Sequence, residues 1–278
     1  MDYTTIQDAV LDQVDDSSAA MRVRAKRYIN WCQQDVASRQ KWEFKKTKGR
    51  VQVTASYSTG TVSVTNASAT VTGSGTTFTT AMTGRKITIA TDSGYYTITF
   101  VSTTEVTLDK AYTGTTGSGK TYVIWEDEYS LATDLLAGED LLDIYTPEIV
   151  TLYPEPIQRL NNRTPASYSS GNLYYTLSGL DSSKYQKIRF SHYFGTTLYT
   201  FNYTYYKTLT DLSATTDASL IPSKYHKILY LGAVAQVFEF LKDDRSNNYW
   251  AQYENMIKDM ERDLAFDPAT KTGQEKND

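Results

Sequence analysis

Residues 198–207, LYTFNYTYYK, decide the fold class, because their apolar and polar side chains alternate with the period of a β-strand. One face of this strand carries Tyr199, Phe201, Tyr203 and Tyr205, and the other carries Thr200, Asn202 and Thr204. A row of aromatic rings is too apolar to be left in water, so another layer must cover it. Further strands are predicted upstream, over 172–177 and 186–194.

The sequence after this strand predicts the covering layer, a pair of C-terminal helices. The first helix follows Pro222 at an N1 position and carries Ile228, Leu231, Ala235 and Phe238 at helical spacing. The second helix starts near Ser246, and its apolar residues form a narrow seam: Trp250, Tyr253, Ile257, Met260 and Leu264. Such a seam is typical of packing on another helix, so it is predicted to be a helix-packing or subunit interface.

The N-terminal residues predict a helical hairpin. Thr4 and Gln7 have the spacing of a capping box, and the apolar residues of the first helix are Ile6, Val10 and Val14. A turn at Ser17-Ser18 leads into a second helix, whose apolar face holds Met21, Ala25, Tyr28, Cys32 and Val36. The basic segment 41–50, KWEFKKTKGR, then loses the helical period and indicates a boundary.

Residues 51–127 differ from both flanks, because Thr, Ser, Gly and Val dominate and charges are sparse. Short strands are predicted over 61–65, 69–72, 86–91, 95–101, 105–109 and 121–125, with turns at 73–75, 91–94 and 114–119. We therefore predict an α+β fold in which 1–50 and 128–266 form one discontinuous domain. An inserted small β-barrel or sandwich spans 51–127, and 267–278 form a flexible polar tail.

Composition excludes several classes of function. Cys32 is the only cysteine, so no internal disulfide and no thiolate cluster can form. The net charge of −4 does not favour bulk attraction to nucleic acid, and no apolar run reaches the length of a membrane span. The N-terminus lacks the pattern of a secretory signal, so assembly in the cytoplasm is expected. The 23 Tyr residues favour strands and protein interfaces.

One segment matches a nucleotide-binding motif. The P-loop pattern is fitted by Gly114-Thr115-Thr116-Gly117-Ser118-Gly119-Lys120-Thr121. Phosphate binding requires a helix after the lysine, whereas residues 122–125 have the propensity of a strand. We interpret Gly114, Gly119, Lys120 and Thr121 as a chance match, and no cofactor is expected.

Other candidate chemistry is sparse. His192, His226 and Cys32 would form a nucleophilic site only if the fold brought them together, and packing roles are favoured for each. No metal site is predicted. The basic residues Lys41, Lys45, Lys46, Lys48 and Arg50 alternate with Trp42 and Phe44. They would suit contact with DNA or with an acidic partner, or they form a solvated boundary segment.

The order of residues in the C-terminal half is distinctive: Tyr205-Tyr206, Asp211-Leu212, Asp217, Ile221-Pro222, Tyr225-His226, Leu229 and Gly232-Ala233. With Asp127-Glu128-Tyr129-x-Leu131 and the N-terminal hairpin, it resembles the head-to-tail adaptor (connector) proteins of tailed double-stranded DNA bacteriophages. The chain departs from that pattern at Lys207-Thr208, where a proline is expected.

The resemblance implies a homo-oligomeric ring of about twelve copies in the virion neck, assembled in the host cytoplasm. Its expected partners are the portal protein, tail or head-closure proteins, and genomic DNA that passes without sequence-specific contact, with no membrane. The C-terminal segment is expected to dock on the portal, through Asp267, Pro268, Lys271 and Asp278. Two alternatives stay open, a tail or fibre component that binds receptors and, more remotely, a P-loop nucleotide-binding protein.

Overall fold

In the computed structural model, the described residues are 1–90, 94–135, 141–146, 152–161, 163 and 166–264. They belong to two compact units, one made of Met1–Thr47 with the chain from Tyr206 onward, and one made of Lys48–Tyr205. The predicted turn at 91–94, except for Gly94, lies outside the described residues, as does the predicted tail.

The helices are α1 (Tyr3–Val14), α2 (Ala19–Arg39), α3 (Ile157–Asn161), α4 (Lys227–Phe240) and α5 (Ser246–Leu264). The first strands are β1 (Lys46–Gln52), β2 (Thr61–Val64), β3 (Thr70–Ser74), β4 (Lys86–Ile89), β5 (Tyr96–Ser102), β6 (Glu105–Leu108) and β7 (Gly117–Lys120). They are followed by β8 (Tyr122–Trp125), β9 (Glu128–Ser130), β10 (Leu141–Tyr145), β11 (Leu152–Pro154), β12 (Leu173–Leu180), β13 (Gln186–Phe190) and β14 (Thr200–Tyr206). The predicted α+β class is confirmed.

The N-terminal hairpin forms as predicted, although its first cap differs. The Asp2 carboxylate accepts a hydrogen bond of 2.7 Å from the Thr5 amide, so Asp2 is the N-cap of α1 and the predicted Thr4–Gln7 capping box is wrong. An aspartate two residues earlier satisfies the Thr5 amide, and the Gln7 side chain is buried instead. Ser18 caps α2 by accepting a bond from the Met21 amide.

The helical unit has one hydrophobic core. Its fully buried members include Ile6, Val10, Ile29, Val234, Phe238 and Ile257, which come from α1, α2, α4 and α5. A Cβ built on Gly232 would lie 2.5 Å from the Cys32 sulfur, so α2 and α4 approach more closely than a larger residue allows. Pro222 precedes a 3₁₀ turn at Ser223–Tyr225 rather than standing at the N1 position of α4, so that detail of the prediction is wrong.

The Thr- and Gly-rich segment forms a seven-stranded sheet of order β7-β2-β3-β6-β5-β4-β8. The predicted strands are present, but β7 lies where a glycine turn was predicted, since backbone pairing with β2 outweighs the low strand propensity of glycine. Only Thr121 separates β7 from β8, which lie at opposite ends of the strand order, so the sheet must curl until its edges approach. Its core is drawn from residues 62–124.

Two smaller sheets complete the β-rich unit, with strand orders β1-β14-β10 and β11-β12-β13-β9. The predicted aromatic row of β14 is confirmed, because Phe201, Tyr203 and Tyr205 are buried while the alternate residues are half-buried. Its cover was predicted wrongly as the C-terminal helices. The rings instead pack in a core that includes Val53, Leu173 and Ile188 of the same unit.

The compact units divide the chain at different points from the predicted domains. Residues 128–205 were predicted to join the terminal helices, whereas they share a compact unit with the β-module, residues 51–127. The reason is that their apolar side chains pack with Val51 and Val53, which lead into the module. An insertion at 51–127 in the evolutionary sense stays a prediction.

Candidate interaction surfaces

The predicted seam of α5 lies within the helical unit. Tyr253, Ile257 and Met260 are buried in its core, and Trp250 and Leu264 pack against that core while partly exposed. The Tyr253 hydroxyl donates a hydrogen bond of 2.6 Å to Asp35 on α2. Three of the five seam residues therefore stabilise the fold of one copy and are not accessible to a partner.

The structure separates the basic segment into two groups. Lys45 is buried, and its ammonium donates a 2.9 Å hydrogen bond to the Ala37 carbonyl at the end of α2, where a cation is favoured. Trp42 is also fully buried and donates to the Val36 carbonyl. These two side chains hold the helix end and are not available for contact with DNA.

The remaining basic side chains are exposed. Lys46, Lys48 and Arg50 alternate along β1 with less exposed residues, so they project from the same face of that strand. Lys46 lies 3.7 Å from Glu43, a weak surface ion pair, and Lys41 precedes the strand on an exposed position. A row of cations spaced by two residues of a strand can face a phosphate backbone or an acidic protein surface.

The P-loop match lies on a strand. Gly117 and Lys120 pair with Val64 and Val62 of β2, and the chain continues after Thr121 into β8. The Lys120 ammonium donates to the Tyr112 hydroxyl at 3.2 Å and lies over the Tyr112 ring. Gly114 accepts a bond from the Asn66 side chain. The predicted continuation into a strand is confirmed, and the backbone amides around Lys120 lack the arrangement of a helix N-terminus.

The histidines and the cysteine have separate surroundings. His226 is buried, with Nε2 2.7 Å from the Ile221 carbonyl and Nδ1 3.0 Å from the amino terminus. Cys32 is buried between α2 and α4, and burial raises the pKa of its thiol to about 12. His192 lies in the other unit beside Ser191, and burial lowers the pKa of its imidazole. Because burial raises its pKa, the Cys32 thiol is protonated near neutral pH.

An ionic cluster that the sequence analysis missed follows the last strand of the curled sheet. Asp127 forms an ion pair of 3.0 Å with Arg189, and both side chains are almost buried. Burial raises the pKa of the Asp127 carboxyl, and the Arg189 charge opposes that shift. Neighbouring acids pair with Lys187 and Arg85 around a cavity of about 480 Å³. Consecutive acids Glu126-Asp127-Glu128 were the available signal, but their partners are distant in sequence.

A second missed feature is the exposed face of α2. Val23 and Trp31 are 57% and 54% exposed, although their side chains are apolar. The helical spacing of its apolar residues predicted only the buried face of this helix. The signal was available, since two large apolar residues eight positions apart stand among charged neighbours.

Two kinds of feature are absent from the residues that the structure describes. No helix there has both the length and the apolar character needed to cross a membrane. Within the same residues, His, Cys, Asp and Glu do not gather in groups of three or more that could hold a metal ion.

Comparison with known proteins gives one informative result. The family model described as SU10 adaptor protein matches residues 1–272, which include the helices of both chain ends and the whole β-module. No curated protein matches the chain. Since the family match extends over nearly the entire sequence, it applies to the architecture as a whole rather than to one motif.

Proposed function

Because the chain belongs to the SU10 adaptor protein family, a family of bacteriophage adaptors, we propose that it forms a ring between the portal and the tail. In this position it would seal and extend the channel through which the genome passes. The observation that carries the proposal is the match over residues 1–272. A structural adaptor acts through its surfaces, and in the helical unit Cys32 lies in the hydrophobic core while His226 lies 2.7 Å from the Ile221 carbonyl.

The charge distribution supports passage of DNA without tight binding. The net charge is −4, so the chain as a whole repels a phosphate backbone. The exposed cations Lys48 and Arg50 on β1 would supply a local, salt-sensitive contact with DNA or with an acidic neighbour. Lys45 does not belong to this contact, since its ammonium is buried.

The contact with the portal is assigned to the C-terminal segment. Its residues Asp267, Pro268, Lys271 and Asp278 lie outside the described residues, so this assignment rests on the resemblance and on the polar composition of the segment. A polar segment can bind along the surface of a partner, which suits docking during assembly.

Immunogold electron microscopy of purified phage particles tests the proposed position. Antibody raised against the chain should place gold at the collar between head and tail, and prior absorption with purified chain should remove the label. Gold at the tail tip or fibres would overturn the adaptor position and favour the receptor-binding alternative. Unlabelled particles would show that the chain is not an accessible virion component and would also contradict the proposal.

The basic row has its own test. In Lys48→Glu/Arg50→Glu, the affinity of the full chain for duplex DNA at low salt should fall, and the slope of log K against log salt should decrease by about 1 per lost contact. The control is Lys110→Glu/Lys184→Glu, which changes the net charge by the same amount at two other exposed lysines of the same unit. Equal losses in both variants would indicate a general effect of net charge and contradict a local contact on β1.

A further inference from the structure

The two helices of the N-terminal hairpin carry opposite charges. Residues 1–21 contain five aspartates and no lysine or arginine, and the four cations Arg22, Arg24, Lys26 and Arg27 follow within six residues. Only some of these charged side chains have a partner within the same copy. Arg22 forms an ion pair of 2.8 Å with Asp8, and the Arg24 guanidinium lies 4.1 Å from the centre of the Phe240 ring.

The other charges of the hairpin are exposed and unused within the copy. Asp12 and Asp15 on the acidic side, and Lys26 and Arg27 on the basic side, are exposed. In the part of the chain that the structure describes, none of these side chains forms an ion pair. They therefore remain free to pair with groups of another molecule.

These charges lie in two ordered rows. On α1, Asp8 and Asp12 are spaced by four residues and lie on one face, and Asp15 follows as the C-cap residue; these three carboxylates are here called the acidic ridge. On α2, Val23, Arg27 and Trp31 are spaced by four and form a second ridge, here called the Trp31 ridge. Its two apolar members are more than half exposed, and the Trp31 ring is extended by Tyr28, 5.5 Å away.

Neither row is explained by the stability of its own helix. Asp12 in the last turn of α1 and Asp15 at its C-cap both oppose the dipole of that helix. Val23 and Trp31 bury less than half of their surface within the copy, so they add little hydrophobic stabilisation to α2. Features that violate local preferences in this way are expected at surfaces that are completed by a partner.

We propose that the Trp31 ridge of one copy packs on the acidic ridge of the next copy of the same chain. Arg27 would pair with Asp12, while Trp31 and Val23 would pack against the exposed face of α1. Charge complementarity selects this occupant, since the acidic ridge repels nucleic acid and a purely apolar partner would leave Arg27 unpaired. The two ridges are different surfaces, so the contact is heterologous and can close a ring. The inference thus rests on the proposed ring and supplies its subunit contact.

The same pairing cannot occur within one copy. The Tyr3 hydroxyl donates a 3.1 Å hydrogen bond to the Lys26 carbonyl, which places Arg27 beside the start of α1. Asp12 lies nine positions after Tyr3, or about 13 Å along the helix at 1.5 Å per residue. A disulfide requires Cα atoms within about 7 Å, so cysteines at these two positions can join only different copies. The native Cys32 is buried and does not compete.

The test is disulfide cross-linking of the full chain carrying Asp12→Cys and Arg27→Cys. Mild oxidation at low salt should give a ladder of covalent multimers on a non-reducing gel, because each copy contributes both ends of the contact. Either single variant should give no more than a dimer. The matched control is Asp12→Cys with Ser38→Cys, an exposed position about 16 Å further along α2, which should give no ladder.

Two results would overturn the contact: no ladder from the double variant, or an equal ladder from the Ser38 control. Both substituted positions are exposed, and an unchanged circular dichroism spectrum verifies that the variant folds. The result is separable from the proposed position in the particle. Gold at the collar without a ladder would reject the contact alone, whereas a ladder without gold at the collar would reject the position alone.

Discussion

The two compact units use their chain segments in opposite ways. The helical unit builds one core from both ends of the chain, because α1 and α2 pack with α4 and α5. The β-rich unit is continuous in sequence and contains two cores, and the buried residues of one core all lie within residues 62–124. A continuous segment of the chain can therefore fold through contacts between its own residues. The helical unit can form only after segments that are distant in sequence have come together.

A pair of core truncations gives the strongest test of this difference between the cores of the two units. Phe238→Ala in the helical unit and Phe78→Ala, in the loop that packs into the core of the curled sheet, each remove a fully buried ring, at an expected cost of about 4 kcal/mol. Native-state hydrogen exchange should show faster exchange in all four long helices for the first variant and only in β2–β8 for the second. Loss of protection in both units from either change would contradict their independence.

A second prediction compares two ion pairs. Arg189→Met leaves the nearly buried Asp127 without its partner and should lower the free energy of unfolding at pH 7 by about 3 kcal/mol. Because burial already raises the pKa of Asp127, this loss should shrink as the pH falls and the carboxyl takes up a proton. Denaturant unfolding at several pH values measures both effects.

The control for that prediction lies in the helical unit. Arg245→Met removes an exposed partner of Asp243, and solvent screening should leave stability nearly unchanged. If the two variants lost equal stability, the burial of Asp127 would not be the cause.

The last prediction concerns the lone thiol. Cys32 is fully buried with a pKa of about 12, against an ordinary value of 9.0, so it should react with a disulfide reagent far more slowly than the exposed thiol of Ser38→Cys. The raised pKa contributes stability that is complete below pH 9 and is lost as the pH rises towards 12. Labelling in native buffer and in denaturant measures the protection. Equal native rates for the two thiols would contradict the close packing of α2 and α4.

Local patterns in the sequence were sufficient for the elements themselves. The alternation in 198–207 predicted β14 and its buried rings, and helical spacing predicted α1, α2, α4 and α5. The glycine-rich strand β7 could not be predicted, because its pairing with β2 is a property of the sheet and not of its residues. The Asp2 cap was missed because the capping box at Thr4 offered an equally plausible pattern two residues later.

Contacts between distant residues were decided only by the tertiary structure. The sequence alone determined the class, the β-module and the resemblance to phage adaptors, since these depend on periodicity, composition and residue order. It could not determine that Lys45 is buried at the end of α2, that Asp127 pairs with Arg189, or that Trp31 is exposed. The physical reason is that burial and ion pairing depend on which surfaces meet across the fold, and one-dimensional patterns do not contain that information.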